Sequence, residues 1–444
     1  MRRSAALILT LLVLPGAALA ASPLTLRDAM AAARNHAREV TAATARRDAA
    51  TARLRQARGF RLPSFEVTES WVRTNSPAEA FALKLNQERF SFADFTTSDP
   101  NAPKALNTAM TRFELSMPLF TGGELSGRIQ QAELAANSAA EGETWAGHQT
   151  AEQAAEAYIM LAQAEEYVRL LDHARDTVRA HVELAGAYAE EGMLVRSELL
   201  RAEVELARVD DLLADARGKA RIAAANLAFR MGVGQGTTFE LAPLLAPLPL
   251  EEGLDGWLGS VAERKDLAAA RLMLGAGQVE ERVQRAAFWP RVGFAARADW
   301  FDSSLFGSHG DSTSIFGFAT MNLFAGGSSR AAVAAARFEA RAGAEDVKRF
   351  EEGAELETRG AFEEARAARS RHATAVKAVA AAAEAERITN ERFKTGVVKT
   401  IDVLDAANAR REAETRELVS RADANAALIR LAVRAGRAPE SVLP

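Results

Sequence analysis

The sequence MPLFTGG at residues 117–123 recurs as MNLFAGG at residues 321–327, and this repeated motif is the strongest indication of the fold. The two copies lie 204 residues apart (321 minus 117). A second pair, GMLVRSELL at 192–200 and GVVKTIDVL at 396–404, has the same separation (396 minus 192, or 204). Because two unrelated landmarks share one offset, we infer that a whole unit was duplicated. A repeat unit rarely buries its apolar surface alone, so the duplication predicts an assembly rather than a catalytic domain.

Each copy of the motif precedes a long stretch without proline. Residues 123–191 and 327–395 place apolar side chains at helical spacing. Each stretch therefore predicts one helix of about 69 residues, about 100 Å long at 1.5 Å per residue. The first helix is either continuous or interrupted near Gly142 or Gly147. The glycine pairs that precede these helices are predicted strand-to-helix turns: Gly122, Gly123, Gly326 and Gly327.

Shorter helices complete the two repeats, and they are predicted at residues 25–57, 197–232, 254–287 and 400–435. The first repeat then covers residues 21–232, a proline-bearing linker covers 233–253, and the second repeat covers 254–444. In the helix at 197–232, apolar residues step alternately by three and four, which is the pattern of a coiled-coil seam. The seam residues are Leu199, Ala202, Leu206, Val209, Leu213, Ala216, Ala220 and Ala223.

The segments before the glycine pairs alternate with period two. Phe113, Leu115 and Met117 alternate with polar residues, and so does the segment 291–300. This predicts β-hairpins at 61–120 and 289–324, whose strands have one apolar and one polar face. Strands of about ten residues can cross an outer membrane at a tilt. A soluble hairpin packed on helices is the alternative.

Four strands cannot close a barrel, and lipid does not tolerate open sheet edges. The subunit must therefore oligomerise, or the membrane interpretation is wrong. Polar loops join the strands of each hairpin, a long one at 76–106 and a shorter one at 303–312.

Residues 1–20 have the features of a secretory signal peptide. Arg2 and Arg3 precede an apolar run at 5–14, and Ala18-Leu19-Ala20 forms a small-x-small cleavage site. The run is shorter than the roughly 20 residues of a transmembrane helix, and we expect no spanning helix in the mature chain. The sequence has no cysteine, which excludes disulfides and thiolate metal sites. Its formal net charge of −4 argues against a nucleic-acid partner.

The sequence contains no recognisable motif of a catalytic or metal site. None of the six histidines shows the i, i+4 pairing of a helical zinc site. The sequence GVGQG at 232–236 follows a helix, whereas a dinucleotide motif follows a strand, so it is interpreted as a helix end. We therefore expect no enzymatic activity, no cofactor and no metal.

These residues together resemble the TolC-like outer-membrane efflux protein family. The resemblance runs from Leu24 to about Gly436 and is most specific in the sequence GVVKTIDVLDA at 396–406. It implies an α+β membrane protein: a homotrimer whose three sets of four strands close one 12-stranded transmembrane β-barrel. The barrel continues as a long periplasmic α-helical coiled-coil barrel, encircled by an equatorial region that includes the linker at 233–253.

The resemblance also implies location, function and partners. Such proteins sit in the outer membrane lipid of Gram-negative bacteria and extend into the periplasm. They are passive exit ducts for efflux or type I secretion, recruited by a periplasmic adaptor and an inner-membrane transporter. The sequence leaves two alternatives open, a periplasmic coiled-coil scaffold and a general small-solute porin.

Functional positions follow from the resemblance motif by motif. The adaptor-contacting tips correspond to Gly192, Met193, Leu194, Val195 and Ser197 in the first repeat, and to Gly396, Val397, Val398, Lys399 and Thr400 in the second. The alternative is that each segment is only a tight turn between two helices. Asp402 and Asp405 match aspartates that ring the periplasmic entrance, with Glu198 and Phe393 as further gate positions. Three copies would place six aspartates in one constriction, which would select for cations. The alternative for Asp402 is an acidic first turn that complements the helix dipole.

Two positions depart from the family pattern. Val398 stands where some relatives have arginine, and Phe393 lacks the hydroxyl group of a tyrosine. Gating by hydrogen-bonded bridges would then depend on Lys399 or Arg196.

Overall fold

Long helices and one four-stranded sheet make up the fold. The computed structural model describes residues 23–97, 99–243, 246–395 and 397–444, so the predicted signal peptide, two linker residues and Gly396 lie outside the described residues. The helices are α1 (Leu26–His36), α2 (Arg38–Gly59), α3 (Pro77–Asn86), α4 (Asp94–Thr97), α5 (Glu124–Glu190), α6 (Arg196–Met231), α7 (Leu254–Ser260), α8 (Lys265–Arg285), α9 (Ser328–Lys394) and α10 (Thr400–Arg434). The strands are β1 (Ser64–Thr74), β2 (Leu106–Phe120), β3 (Arg291–Asp302) and β4 (Gly310–Thr320). Short 3₁₀ helices occupy Val261–Glu263, Ala286–Phe288 and Pro439–Val442.

The two longest helices repeat each other in length and position. Helices α5 and α9 both have 67 residues, and their first residues are 204 positions apart (328 minus 124). Helix α5 runs unbroken through Gly142 and Gly147. At 1.5 Å per residue, each helix is about 100 Å long.

Two of the shorter predicted helices are broken in the structure, which corrects the prediction. The helix expected at 25–57 divides into α1 and α2 because Ala37 is extended, with ψ of 141°. The helix expected at 254–287 divides into α7, a 3₁₀ turn and α8, because Arg264 is extended, with ψ of 131°. Arg264 is buried, and its guanidinium binds Asp266 at 2.8 Å and Glu357 at 3.0 Å. Helical periodicity does not reveal a break that a tertiary ion pair stabilises.

The sheet is antiparallel in the order β1-β2-β3-β4. Cross-strand pairing places one row of residues, Thr68, Arg112, Asp299 and Ser312, side by side across all four strands. The next row is Val67, Phe113, Ala298 and Thr313. Since side chains alternate along a strand, the sheet has one charged face and one largely apolar face. Within the described chain, the outer edges of β1 and β4 pair with no other strand.

The two repeats share one buried cluster, and a second cluster lies within the linker and the second repeat. One buried cluster joins Leu161 of α5 and Leu227 of α6 to Ile429 of α10. Another joins Trp257 of α7 to Phe362 of α9, again with residues of α10. Because both clusters contain residues of α10, that helix connects α5 and α6 to α7 and α9. None of the described helices combines the length and apolar character needed to span a membrane.

The linker packs against the first residues of the described chain. Leu24 forms an isolated parallel bridge with Leu241. The Tyr158 hydroxyl of α5 donates to the carbonyl oxygens of Leu24, at 2.9 Å, or of Ala242, at 3.1 Å. These contacts hold the linker against the middle of the long helix.

Candidate functional site

The turn between α5 and α6 forms the first of two tips at one end of the molecule. Gly192 has φ of 72°, a left-handed conformation that favours glycine. The N–H groups of Met193 and Leu194 both donate to the carbonyl oxygen of Tyr188, at 2.8 and 3.1 Å. These hydrogen bonds close the end of α5 and leave the side chains of Met193 and Val195 largely exposed.

The turn between α9 and α10 forms the second tip, which is described except for Gly396. The Val397 N–H donates to the carbonyl oxygen of Arg392 at 3.0 Å, and the Val397 side chain is exposed. The Lys399 N–H donates to Oδ2 of Asp402 at 2.9 Å. Thr400 is buried at the start of α10. Asp402 thus caps the first turn of α10 with its carboxylate.

Other predicted tip and gate residues occupy the flanks of these turns. Ser197 is exposed in the first turn of α6, and Val398 is half-buried. Glu198 is half-buried and lies 3.6 Å from the Arg201 guanidinium. Phe393 is half-buried in the last turn of α9. These side chains present apolar and charged groups next to each other at one end of the helical wall.

A groove joins the two tips. It is lined by Leu200, Val204 and Arg208 of α6 and by Ile401 and Asp405 of α10. Both Asp402 and Asp405 are exposed. The next residues inward, Val403 and Leu404, are buried. The two aspartates therefore lie away from the packed side of α10.

The predicted strand-to-helix turns lie at the end of the long helices opposite the tips. Gly123 and Gly327 precede the long helices with φ of 92° and 85°, and Gly122 and Gly326 have φ of 65° and 59°. These are left-handed backbone conformations that residues other than glycine rarely adopt. A Cβ added at Gly122 would also lie 2.7 Å from the carbonyl oxygen of Ala286.

Ion pairs cross the charged face of the sheet. Arg112 of β2 binds Asp299 of β3 at 2.7 Å. Arg297 of β3 binds Glu114 of β2 at 2.8 Å, and its guanidinium also stacks on the Phe316 ring. On the opposite face, the aromatic rings of Phe65, Phe113 and Trp300 follow one another at centroid distances of 5.8 and 5.2 Å. The two faces therefore suit two different surroundings, one aqueous and one apolar.

Sequence reasoning missed a series of ion pairs that joins the repeats. In each pair, an arginine of α10 binds a glutamate of α5 or α6. The pairs are Arg411–Glu205 (3.5 Å), Arg421–Glu166, Arg430–Glu156 (2.9 Å) and Arg434–Glu152 (3.3 Å). The available signal was the recurrence of arginine along α10.

One member of this series has an unusual acidity. Glu152 is only 6% exposed. Burial raises the pKa of its carboxyl group to about 7, and the nearby Arg434 guanidinium offsets only part of that effect. Glu152 therefore changes its charge near neutral pH.

The described residues contain no group of three or more His, Cys, Asp or Glu side chains placed to hold a metal ion.

Comparisons with known proteins identify the same architecture. The model of the outer membrane efflux protein family matches residues 29–233 and 260–437. The structure resembles the outer membrane protein VceC of Vibrio cholerae, at 18% sequence identity and a TM-score of 0.74, with 93% of this chain and 96% of that chain covered. It also resembles the outer membrane channel CmeC of Campylobacter jejuni, at 15% identity and a TM-score of 0.75, covering 93% and 85%.

A third similar structure is the open state of the outer membrane channel MtrE of Neisseria gonorrhoeae. Its sequence identity is 18%, its TM-score 0.73, and the match covers 93% of this chain and 89% of that one. A comparison with curated proteins gives no significant match. At such low identities the structural likeness establishes the fold, and the family match covers both repeats. The chain belongs to the outer membrane efflux protein family.

Proposed function

We propose that three copies of this chain form an exit duct across the outer membrane, through which substrate passes passively from an inner-membrane transporter and a periplasmic adaptor. The observation that carries this proposal is a four-stranded sheet with one apolar face, one charged face and two free edges, mounted on helices about 100 Å long. The duct performs no chemistry, and the transporter supplies the energy.

The sheet supports the membrane-spanning part of the proposal. Its apolar face exposes Phe65 and Ile315, at 66% and 77%, although an aqueous surface would favour polar residues there. Its free edges carry backbone groups that lipid cannot satisfy. Three copies supply 12 strands, and β4 of one copy would run antiparallel to β1 of the next. Closure removes every edge, and the charged face then lines an aqueous lumen.

The helices support a trimer in the periplasm. Helix α6 exposes Val204 and Ile222, and α9 exposes Phe338 and Leu356. These helices lie at the two sides of the helical wall, since α6 packs mainly on α5, and α9 packs on α8 and α10. Helix α2 packs on the half of α5 that α6 does not reach. Contact of α2 and α6 in one copy with α9 in the next would bury these side chains and close the wall into a tube.

The tips support the adaptor and gate assignments. Met193, Val195 and Val397 offer exposed apolar groups on short turns, which a partner of the same architecture could cover. Asp402 and Asp405 are exposed on α10, and three copies would bring six carboxylates to one entrance. Such a ring favours cations and repels anions.

Membrane fractionation and gel analysis test the proposal. We expect the full chain in the outer membrane, resistant to salt washing, as a trimer that dissociates on heating. A protein released by salt and monomeric without heating would instead be the periplasmic scaffold. Large steady conductance of the purified trimer without an adaptor would indicate the general porin. Efflux that depends on the adaptor, with low conductance in its absence, is the result expected of a duct.

A further inference from the structure

The long loop of the first hairpin folds back over the sheet. Helix α3 in this loop contacts both β2 and β4, which are not neighbours, so the segment crosses over β3. The loop joins β1 to β2 at the end of the sheet remote from the long helices, because β2 leads into α5 at its other end. If the sheet spans the outer membrane, this crossing lies at the external mouth.

One side chain anchors the crossing to the charged face. Gln87, at the end of α3, is 0% exposed. Its Nε2 donates to Oγ1 of Thr108 at 2.6 Å and to the carbonyl oxygen of Asn107 at 2.9 Å. Thr108 lies on the same face as Arg112 because both are even-numbered residues of one regular strand. Thr108 is itself buried, at 1% exposed, although it belongs to the face that carries the ion pairs.

A close backbone contact anchors the other side of the crossing. Gly310 of β4 pairs with Phe301 of β3, and Phe301 pairs with Met110 of β2, so all three lie on the charged face. A Cβ added at Gly310 would lie 2.0 Å from the carbonyl oxygen of Asn86 in α3. No side chain fits in that space, and the overlap is with backbone. Glycine at this position therefore permits α3 to dock.

The docked segment contains an aromatic cluster and has an apolar outer surface. The ring of Phe90 lies 5.0 Å from that of Phe81 and 5.4 Å from that of Phe95, in edge-to-face arrangements. On the outside of this cluster, Phe92 is 85% exposed, and Leu85 is also exposed.

We propose that residues 77–97 form a lid inside the external mouth of the duct, and that the apolar surface of each lid meets the same surface of the other two copies. The proposal rests on the proposed function, because only a closed trimer makes the charged face a lumen. A barrel of 12 strands about 4.8 Å apart and tilted by about 40° is about 24 Å across its backbone. A helix about 11 Å wide that lies across the wall extends almost to the barrel axis, which is about 12 Å away. Three docked lids therefore close the mouth.

Labelling of single cysteines from outside the cell tests the lid, because the chain has no cysteine of its own. Ser314→Cys places a thiol on the charged face of β4, four residues and about 13 Å below Gly310. Ile315→Cys places one on the apolar face, one residue away. Intact cells are treated with a bulky, membrane-impermeant maleimide attached to polyethylene glycol. With the lid closed, we expect slow labelling of S314C.

Gly310→Ala in the S314C background should displace the lid. We expect at least about tenfold faster labelling, because the added methyl group overlaps the backbone of α3 and favours the undocked state. Gly317→Ala is the matched control, since it lies on the same strand and a Cβ there meets no atom within 4 Å. It should leave labelling slow. Fast labelling of S314C alone, or equal rates in all three proteins, overturns the proposal.

Two further readouts separate failure of the lid from failure of the duct. Each variant is checked for the heat-labile trimer, and I315C should resist labelling because lipid covers it. If I315C labels as readily as S314C when both are in the Gly310→Ala background, the sheet does not span a membrane and the proposed function itself is wrong. If G310A forms no trimer, Gln87→Ala in the S314C background removes the anchor without a clash. Labelling no faster than that of S314C alone would then overturn the lid.

Discussion

Among single residues, Asp402 has one observed role and one proposed role, and a substitution can separate them. Its carboxylate accepts a hydrogen bond from the Lys399 N–H and so caps α10. Its negative charge, with that of Asp405, forms the proposed ring at the entrance. Alanine removes both the cap and the charge, whereas asparagine removes the charge and keeps a hydrogen-bond acceptor.

We therefore predict that D402A/D405A and D402N/D405N both weaken block of the pore by a multivalent cation. The block should weaken by at least about tenfold, because the loss of six charges at one constriction removes most of the attraction. Planar-bilayer recording with the cation on the periplasmic side measures this. If the alanine pair weakens block and the asparagine pair does not, the cap matters and the ring does not. Unchanged block in both pairs contradicts the ring assignment.

Glu152 is a second residue whose chemistry has a measurable consequence. Its pKa is about 7 in the folded protein, against an ordinary value of 4.5. Between these two values the folded state binds more protons than the unfolded state, so this group makes the protein less stable as pH rises. The full effect is up to about 3 kcal/mol per chain, the free energy that corresponds to such a pKa difference.

We expect Glu152→Gln to raise the thermal midpoint relative to the unsubstituted protein more at about pH 8.5 than at about pH 5, since glutamine stays neutral throughout. Thermal unfolding of the detergent-solubilised protein at both pH values measures the difference. Glu156→Gln is the control, because Glu156 lies one turn away with a more exposed side chain, 38% against 7% for Glu152. An equal shift at both pH values would show that burial does not govern the Glu152 carboxyl.

At the scale of secondary-structure elements, the tips combine a rigid turn with exposed apolar side chains. The turn after α5 is closed by hydrogen bonds to the Tyr188 carbonyl oxygen, which do not involve the Met193 side chain. Met193→Asp therefore changes the surface without straining the backbone. A substitution at Gly192 would also have to overcome its positive φ.

We predict that Met193→Asp prevents crosslinking to the periplasmic adaptor and leaves the trimer intact, because a charge at an apolar contact is costly to desolvate. Gly186→Asp is the control, since it lies in α5 near the same end, where an added Cβ meets no atom within 4 Å. Crosslinking in cells, with a gel assay for the trimer, measures both properties. Normal crosslinking of M193D would refute the tip assignment.

An element can be predicted from the sequence when the residues that determine it are close together in the chain, and is missed when they are far apart. The glycine pairs before α5 and α9 and the alternation in β2 and β3 are local, and the sequence states them directly. The break at Arg264 depends on ion pairs with Asp266 and, from a distant helix, Glu357, so periodicity predicted a continuous helix. Helix α3 was predicted only as part of a polar loop. Its position depends on Gly310, which is more than 200 residues away in the sequence.

At the scale of the whole molecule, the duplication is visible in the sequence, but the way the copies join is not. The first repeat contributes β1 and β2, and the sheet continues because β2 pairs with β3 of the second. Likewise, α5 packs on α8 and α10, both from the second repeat. The arginines of α10 are paired with glutamates across the same boundary. Each repeat thus completes the other.

This interlocking predicts how the chain responds to division. Residues 1–253 and 254–444, each exported with a signal peptide, should assemble into the heat-labile trimer only when both are produced together. Either half alone leaves one edge of its hairpin without its partner strand and separates α5 from α8 and α10, on which it packs, so each half should be degraded. A chain divided after Gly147 is the control. Its two fragments should form no trimer, because the cut interrupts the buried middle of α5, where Ala151, Ala154 and Ala155 pack. The gel assay for the trimer measures all three cases. Assembly of either half by itself would show that a repeat is an independent folding unit, and the shared core would then not be what holds the duct together.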